Sequence, residues 1–251
     1  MKQTVLVTGA TGGIGTACIK AFAAHDVQVI GTTHREEGLQ QLNAIPELHA
    51  GYLLDLADVM ALRKKIASII DRHGPINMLV NNAAFLKLES MFDITEETWD
   101  KTCDINMKAV FFLSQVMADH MRSLQTGAIL HVASLAGKLG FVDQIPYSAA
   151  KAGVFALTRT MARELAPWNI RVHAVSPGAI DTPMFQHCLQ WSEQVYQQSP
   201  TTLLHQWLAP TVNQRLIPAQ QVAEILCYLA LQGTMYLSGC CWNIDSGVAP
   251  F

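Results

Sequence analysis

The sequence predicts an α/β fold built on a parallel sheet with helices packed on both faces. Three observations carry the prediction. Short β-branched or apolar runs alternate along the chain with longer segments of helical period, the pattern of strands joined by crossover helices. Half of the 251 residues are hydrophobic and only 15% are charged, enough apolar material for one large core and little for a disordered tail. Gly and Pro fall at predicted element ends and do not gather into a linker, so residues 1–251 form one predicted domain.

In chain order, "TVLVT" (4–8) is the first strand and residues 13–24 the helix that follows it. "VQVIG" (27–31), "INMLVNN" (76–82), "GAILHVAS" (127–134) and "IRVHAVS" (170–176) are further strands, recognisable from their β-branched content. Segments 58–73, 97–124, 147–165 and 218–231 place apolar residues at i, i+3, i+4 and i+7, as covering helices must. "DITEETW" (93–99) marks a helix start: Thr95 precedes Glu96 and Glu97, whose charges meet the positive helix end. Residues 184–217, rich in Gln with apolar pairs at Leu203/Leu204 and Trp207/Leu208, fit neither period and stand as an insertion.

Charge and cysteine usage exclude several function classes. The formal net charge is −3 and no run of Lys or Arg passes three residues, so a nucleic-acid partner is not expected and a small ligand is. Six cysteines show no CxxC or zinc-type spacing, and "MKQTVLVTGA" enters the first strand directly, which points to free thiols in a reducing cytoplasm. Cys240 and Cys241 are expected as buried apolar strand residues, and no metal is expected. No apolar stretch approaches the ~20 residues that span a bilayer, so no membrane partner is expected.

"VLVTGATGGIG" places Gly9, Gly13 and Gly15, with Thr11, Gly12 and Ile14 between them, after the first strand and at the head of the first helix. In that context Gly9 permits a tight turn, Gly13 a close approach of backbone to a pyrophosphate, and Gly15 close packing of helix on strand. The expected ligand is a dinucleotide held at the helix N-terminus. After the second strand, "VIGTTHREE" has no acidic residue at the tip to accept from a ribose 2′-hydroxyl, and has His34 and Arg35 instead. Arg35 offers a fork of donors suited to a 2′-phosphate, which favours NADP(H) over NAD(H). The alternative is a solvated Arg35 paired with Glu36 or Glu37.

"YSAAK" (147–151) sets Tyr147 and Lys151 four residues apart, on one face of a helix. A phenol titrates near about 10, and a neighbouring ammonium favours its ionised form, which suits a general acid or base. Ser134 ends "HVAS" 13 residues earlier, "NNAA" (81–84) ends the fourth strand, and Asn106 lies in the next helix. Together with the glycine turn these residues resemble the short-chain dehydrogenase/reductase family, from residue 4 to about 182 and again at "IDSG".

The resemblance implies a seven-stranded, doubly wound Rossmann fold and reversible hydride transfer between a nicotinamide and a carbonyl or alcohol. It implies that Tyr147 exchanges the proton, Ser134 holds the reacting oxygen, Lys151 lowers the tyrosine pKa and binds the nicotinamide ribose, and Asn106 anchors a water. It further implies that Asp55 and Leu56 flank the adenine, or that Asp55 merely caps a helix. Asn82, Ala83 and Ala84 would lie beside the adenosine ribose, and Pro177, Gly178, Ile180 and Thr182 of "SPGAIDTP" would close on the nicotinamide. The chain departs from the family pattern at Ala84, at His173, expected as a satisfied strand histidine, and at Ser246 of "DSG".

Substrate contacts are expected from 135–146 and 184–217, with Ser134, Phe141, Tyr147 and Phe185 foremost. Leu139, Phe141, Val142 and Ile145 make the first wall apolar, with Lys138, Asp143 and Gln144 as polar handles. Phe185, Trp191, Tyr196 and Trp207 of the second either cap a hydrophobic carbonyl or alcohol substrate or pack into a subunit interface. Three functions compete: a carbonyl reductase or alcohol dehydrogenase, a 3-oxoacyl carrier-protein reductase, and a catalytically silent dinucleotide sensor or scaffold. The family's habit implies a homo-oligomer, tetramer or dimer, paired through 97–124 and 147–165, with the tail "VAPF" at a second interface.

Overall fold

A computed structural model describes residues 2–249; Met1 lies outside them, as do Pro250 and Phe251 of the expected interface tail. Seven strands form one parallel sheet: β1 (Thr4–Val7), β2 (Gln28–Thr33), β3 (Ala50–Leu53), β4 (Met78–Asn81), β5 (Gly127–Val132), β6 (Ile170–Pro177) and β9 (Cys241–Ile244). Their order is β3-β2-β1-β4-β5-β6-β9. The reversal of order falls between β1 and β4, where a doubly wound sheet opens a crevice beyond its strand ends. Two short strands, β7 (Ile180–Asp181) and β8 (Ile217–Pro218), pair separately.

Alternation along the strands loads both faces. On β1, Val5 and Val7 join the core with Cys18, Ile19 and Phe22 of α1 (Gly13–Ala23) and Val222 and Leu226 of α9 (Ala219–Leu231). Leu6 points to the other side, against Leu62 and Ile66 of α3 (Val59–His73), Leu113 and Met117 of α5 (Ala109–Leu124), and Met161 of α6 (Ile145–Leu165). A strand apolar on both faces lies inside a parallel sheet.

Several elements differ from the sequence reading. The stretch expected as one helix over 97–124 divides into α4 (Glu96–Cys103), a π-helical turn (Asp104–Lys108) and α5. Thr95 does start it: its hydroxyl accepts from the Thr98 amide at 3.1 Å. A helix α2 (Glu36–Asn43) and strand β3 fill the unassigned segment after β2. The insertion folds into α7 (Pro183–Tyr196) and α8 (Pro200–Leu208), each opened by a hydroxyl cap, Thr182 or Ser199, with Pro at the first helical position. Cys240 is exposed ahead of β9 and Cys241 is half-buried, so the expected buried pair is not formed. His173 is fully buried on β6, and burial, helped by Arg171 and opposed by a hydrogen bond with the Leu237 backbone, pulls it down to about 4. It is a neutral core histidine.

Candidate active site

The ends of β1, β4, β5 and β6 open into one cavity of about 1320 Å³. At its floor Gly9 adopts φ 60, and a Cβ there would lie 2.8 Å from Ala83 Cα. A left-handed conformation and a backbone contact both require glycine. Gly15 lies beneath the turn, where a Cβ would meet Gly9 O at 2.3 Å. Gly13, which borders the cavity, also makes room within the chain: a Cβ would stand 2.6 Å from Thr182 Cγ2, so the first helix and the loop after β6 touch there.

The loop after β4 is held from both sides by main-chain contacts. Thr8 Oγ1 accepts from the amides of Asn82 and Ala83, each at 3.0 Å. Asn82 Nδ2 donates to Thr8 O at 2.9 Å and Gly9 O at 3.1 Å, so its side chain braces the glycine turn. On the other side Asn106 Nδ2 donates to Phe85 O at 2.7 Å and to Thr102 O at 2.9 Å, while its Oδ1 accepts from Phe85 N at 3.2 Å. Asn106 is fully buried in the π-helical turn and does not line the cavity. Its side-chain amide is spent on Phe85 and Thr102, which leaves the main chain of this turn to hold a water. Thr8 was missed in the sequence; its signal is a hydroxyl at the end of β1, directly before the turn.

Tyr147 and Lys151 project from the start of α6 into the same cavity as Ser134. Ser134 lies two residues beyond β5 and caps a short 3₁₀ turn, Leu135–Gly137, accepting from Ala136 N at 3.1 Å. Lys151 is 2% exposed; its Nζ donates to Val132 O at 2.8 Å and stands 5.5 Å from the centre of the Tyr147 ring. Burial pushes Tyr147 up to about 12, opposed by its hydrogen bond with Ser134 and reinforced by the Cys188 thiol. Burial also pulls Lys151 down to about 8. Desolvation is the largest cause for both groups.

Behind the pair, a buried chain of hydrogen bonds fixes α6. Asn81 Nδ2 donates to Ser114 Oγ at 2.9 Å, Ser114 Oγ meets His131 Nε2 at 3.3 Å, and His131 Nδ1 meets Thr158 Oγ1 at 3.0 Å. Thr158 donates onward to Val154 O at 2.7 Å. Burial, with the Lys151 charge added, holds His131 at about 3. A neutral imidazole with one donor and one acceptor completes the chain in a single direction.

The remaining predicted residues divide. Thr11, Gly12, Ile14, His34, Asp55, Leu56, Ala84, Pro177, Gly178, Ile180, Phe141 and Phe185 all border the cavity; Arg35, exposed at the cap of α2, does not. Asp55 accepts from Ala57 N at 2.9 Å, while the cap of α3 is Asp58. Lys138 turns away from the cavity toward Asn243 Oδ1, at 2.6 Å. A further wall comes from α4 and the π-helical turn, where Glu97, Asp100, Lys101 and Asp104 line the opening. Among the described residues no group of three or more His, Cys, Asp or Glu could hold a metal ion, and no helix is long and apolar enough to cross a membrane.

The residues present fit a nicotinamide dinucleotide. Helix α1 begins at Gly12 with no side-chain cap and no acidic residue in its first turn, so its leading amides and positive end face the cavity for a pyrophosphate. Sheet order, crevice and buried Tyr–Lys pair together define a dinucleotide-dependent oxidoreductase. The chain belongs to the short-chain dehydrogenase family, whose profile matches residues 3–193. It is similar to the 3-oxoacyl-[acyl-carrier-protein] reductase FabG of Thermotoga maritima, 33% identical over 98% of this chain and 97% of that one. It is also similar to a monensin polyketide synthase putative ketoacyl reductase of Streptomyces virginiae, 34% identical over 100% and 98%. Among solved structures, a variant of actinorhodin polyketide ketoreductase with NADPH superposes at a TM-score of 0.94, 29% identical, covering 100% of this chain and 98% of that one. This protein is an NAD(P)-dependent oxidoreductase acting on CH–OH/C=O groups.

Proposed function

We propose that this protein is an NADP(H)-dependent carbonyl reductase for apolar ketones, with Tyr147 as the general acid. The observation that carries the proposal is the convergence of Tyr147, Ser134 and Lys151 on the cavity that also contains the uncapped start of α1. The bound nicotinamide supplies the hydride. Tyr147 Oη gives its proton to the substrate oxygen as negative charge develops there, and Ser134 Oγ holds that oxygen in line. A phenol kept neutral by burial is the form a reductive proton donor needs. Lys151, anchored on Val132 O, presents its ammonium to the ribose hydroxyls and to the phenolate left after transfer. With the Asn106 amide committed to Phe85, a relay water at this turn would use main-chain oxygen.

NADP(H) is favoured because His34 borders the adenosine end, Arg35 beside it forms no salt bridge among the described residues, and a similar ketoreductase was solved with NADPH. Residues 184–217 act as the substrate cap of one domain, and aromatic side chains of α7 and α8 suit a hydrophobic ketone. Six free thiols support a reducing cytoplasmic setting, and α4–α5 with α6 are the faces we assign to a homo-oligomer.

Identity with FabG favours a second reading, reduction of a carrier-bound 3-oxoacyl thioester. Against it, the cap contains one Arg or Lys, Arg215, and the α4 wall is acidic, a poor surface for an acidic carrier. The test is oxidation of NADPH and NADH with a ketone panel and an acetoacetyl carrier-protein thioester, with Tyr147→Phe as control. Tyr147→Phe should lose 10²–10⁴-fold in turnover, roughly what a general acid contributes, while still binding NADPH. Equal rates in control and parent refute the assignment of Tyr147, and NADH preference refutes the reading of Arg35.

A further inference from the structure

The mouth of the substrate lobe lies between two segments far apart in sequence, the loop 138–144 after the Ser134 turn and helix α7 of the cap. Helix α7 is fixed at its start by the Thr182 cap and lies against α8. Its last residue, Tyr196, crosses to the opposite wall, where its hydroxyl donates to Asp143 Oδ2. Both residues border the cavity. We propose that the Tyr196–Asp143 hydrogen bond is a bolt across the mouth that limits the size of ketone admitted, an inference that rests on the carbonyl-reductase reading above.

Each half of the bolt is held in place from behind. Asp143 adopts φ 62, in the left-handed region that Asp tolerates better than most residues, and its carbonyl accepts from Glu89 N at 3.1 Å. That contact ties the loop to the segment after β4 and aims the carboxylate outward. Tyr196 is braced by Trp191, whose ring meets it edge-on with centroids 6.1 Å apart. The Asp143 carboxylate, through this hydrogen bond, pushes the Tyr196 phenol up to about 12. The bond lies at the exposed rim and joins the end of α7 to the loop after the Ser134 turn. On this proposal a monocyclic ketone should enter with the walls joined, whereas a fused bicyclic ketone should have to part them.

The test compares kcat/KM for cyclohexanone and for a decalone in the full-length protein, in Tyr196→Phe, and in Asp143→Asn. Tyr196→Phe keeps the ring on Trp191 and removes only the donor; Asp143→Asn keeps an acceptor oxygen without the charge. The bicyclic-to-monocyclic ratio should rise about tenfold in Tyr196→Phe through KM, the scale of one charge-assisted hydrogen bond, and less in Asp143→Asn. Amide hydrogen exchange across 186–196, which needs no turnover, should accelerate in Tyr196→Phe. An unchanged or falling ratio, equal losses on both ketones, or unchanged exchange overturns the bolt. A parent protein that reduces no ketone refutes the carbonyl-reductase reading instead, and the exchange measurement still decides whether the bond ties the cap.

Discussion

Replacing Gly13 with alanine should strain the contact between the first helix and the loop after β6. The added methyl would lie 2.6 Å from Thr182 Cγ2 and 3.0 Å from its Cβ, whereas carbon atoms meet comfortably at about 3.5–4.0 Å. One side must retreat by about 1 Å, and overpacking of this kind costs roughly 1–3 kcal/mol. Alanine in place of glycine would by itself favour the helix by up to about 1 kcal/mol, so the sign of the net effect is diagnostic. We expect Gly13→Ala to destabilise the protein by about 1 kcal/mol net and to weaken NADPH binding, because Thr182 also caps α7 through Phe185 N at 3.3 Å. Thr182→Ser removes Cγ2 and keeps the capping hydroxyl. In that background Gly13→Ala should become neutral or stabilising, a coupling of at least about 1 kcal/mol. Guanidinium denaturation and NADPH fluorescence titration on the four proteins measure this, and strictly additive effects would show that the two residues do not press on each other.

Two further outcomes follow from the buried groups. Because the folded Lys151 titrates near 8 and the free side chain at 10.5, the unfolded chain binds more protons between those values, and stability should climb as pH rises across that window. The climb is on the order of 3 kcal/mol at most, at 1.36 kcal/mol per pH unit, and Lys151→Met should flatten it. Above pH 10 the trend should reverse, since Tyr147 keeps its proton in the fold to about 12 and loses it earlier when unfolded. On the acid side His131 and His173, held at about 3 and about 4, should make stability fall as pH drops below about 6.5; urea midpoints across pH test all three arms. His131→Leu leaves the Ser114 hydroxyl without its acceptor and should cost about 1–3 kcal/mol, with His131→Gln recovering part of it; a neutral His131→Leu would remove the chain behind α6 from the account.

The strands were legible because β1, β4, β5 and β6 are largely buried on both faces and so carry runs dominated by apolar or β-branched residues, broken by His131, Arg171 and His173. Tyr147 and Lys151 were legible because helical spacing alone puts them on one face. The cap was missed as helices although Thr182-Pro183 and Ser199-Pro200 are strong local start signals; the Gln-rich sequence behind them blurred the period. Asn106 could not be read from its own neighbourhood, since its partner Phe85 lies 21 residues away and meets it only in the folded chain. Spacing reveals an ammonium beside Tyr147 but not the depth of burial, which raises the phenol.

The grip on residues 82–85 falls on peptide atoms: the amides of Asn82 and Ala83 by Thr8, and the amide and carbonyl of Phe85 by Asn106. A path fastened through its peptides can exchange the side chains at 84 and 85 while keeping its course. This stretch is therefore where adaptation, or a protein engineer, could retune the cavity-facing surface with the least disturbance to the scaffold.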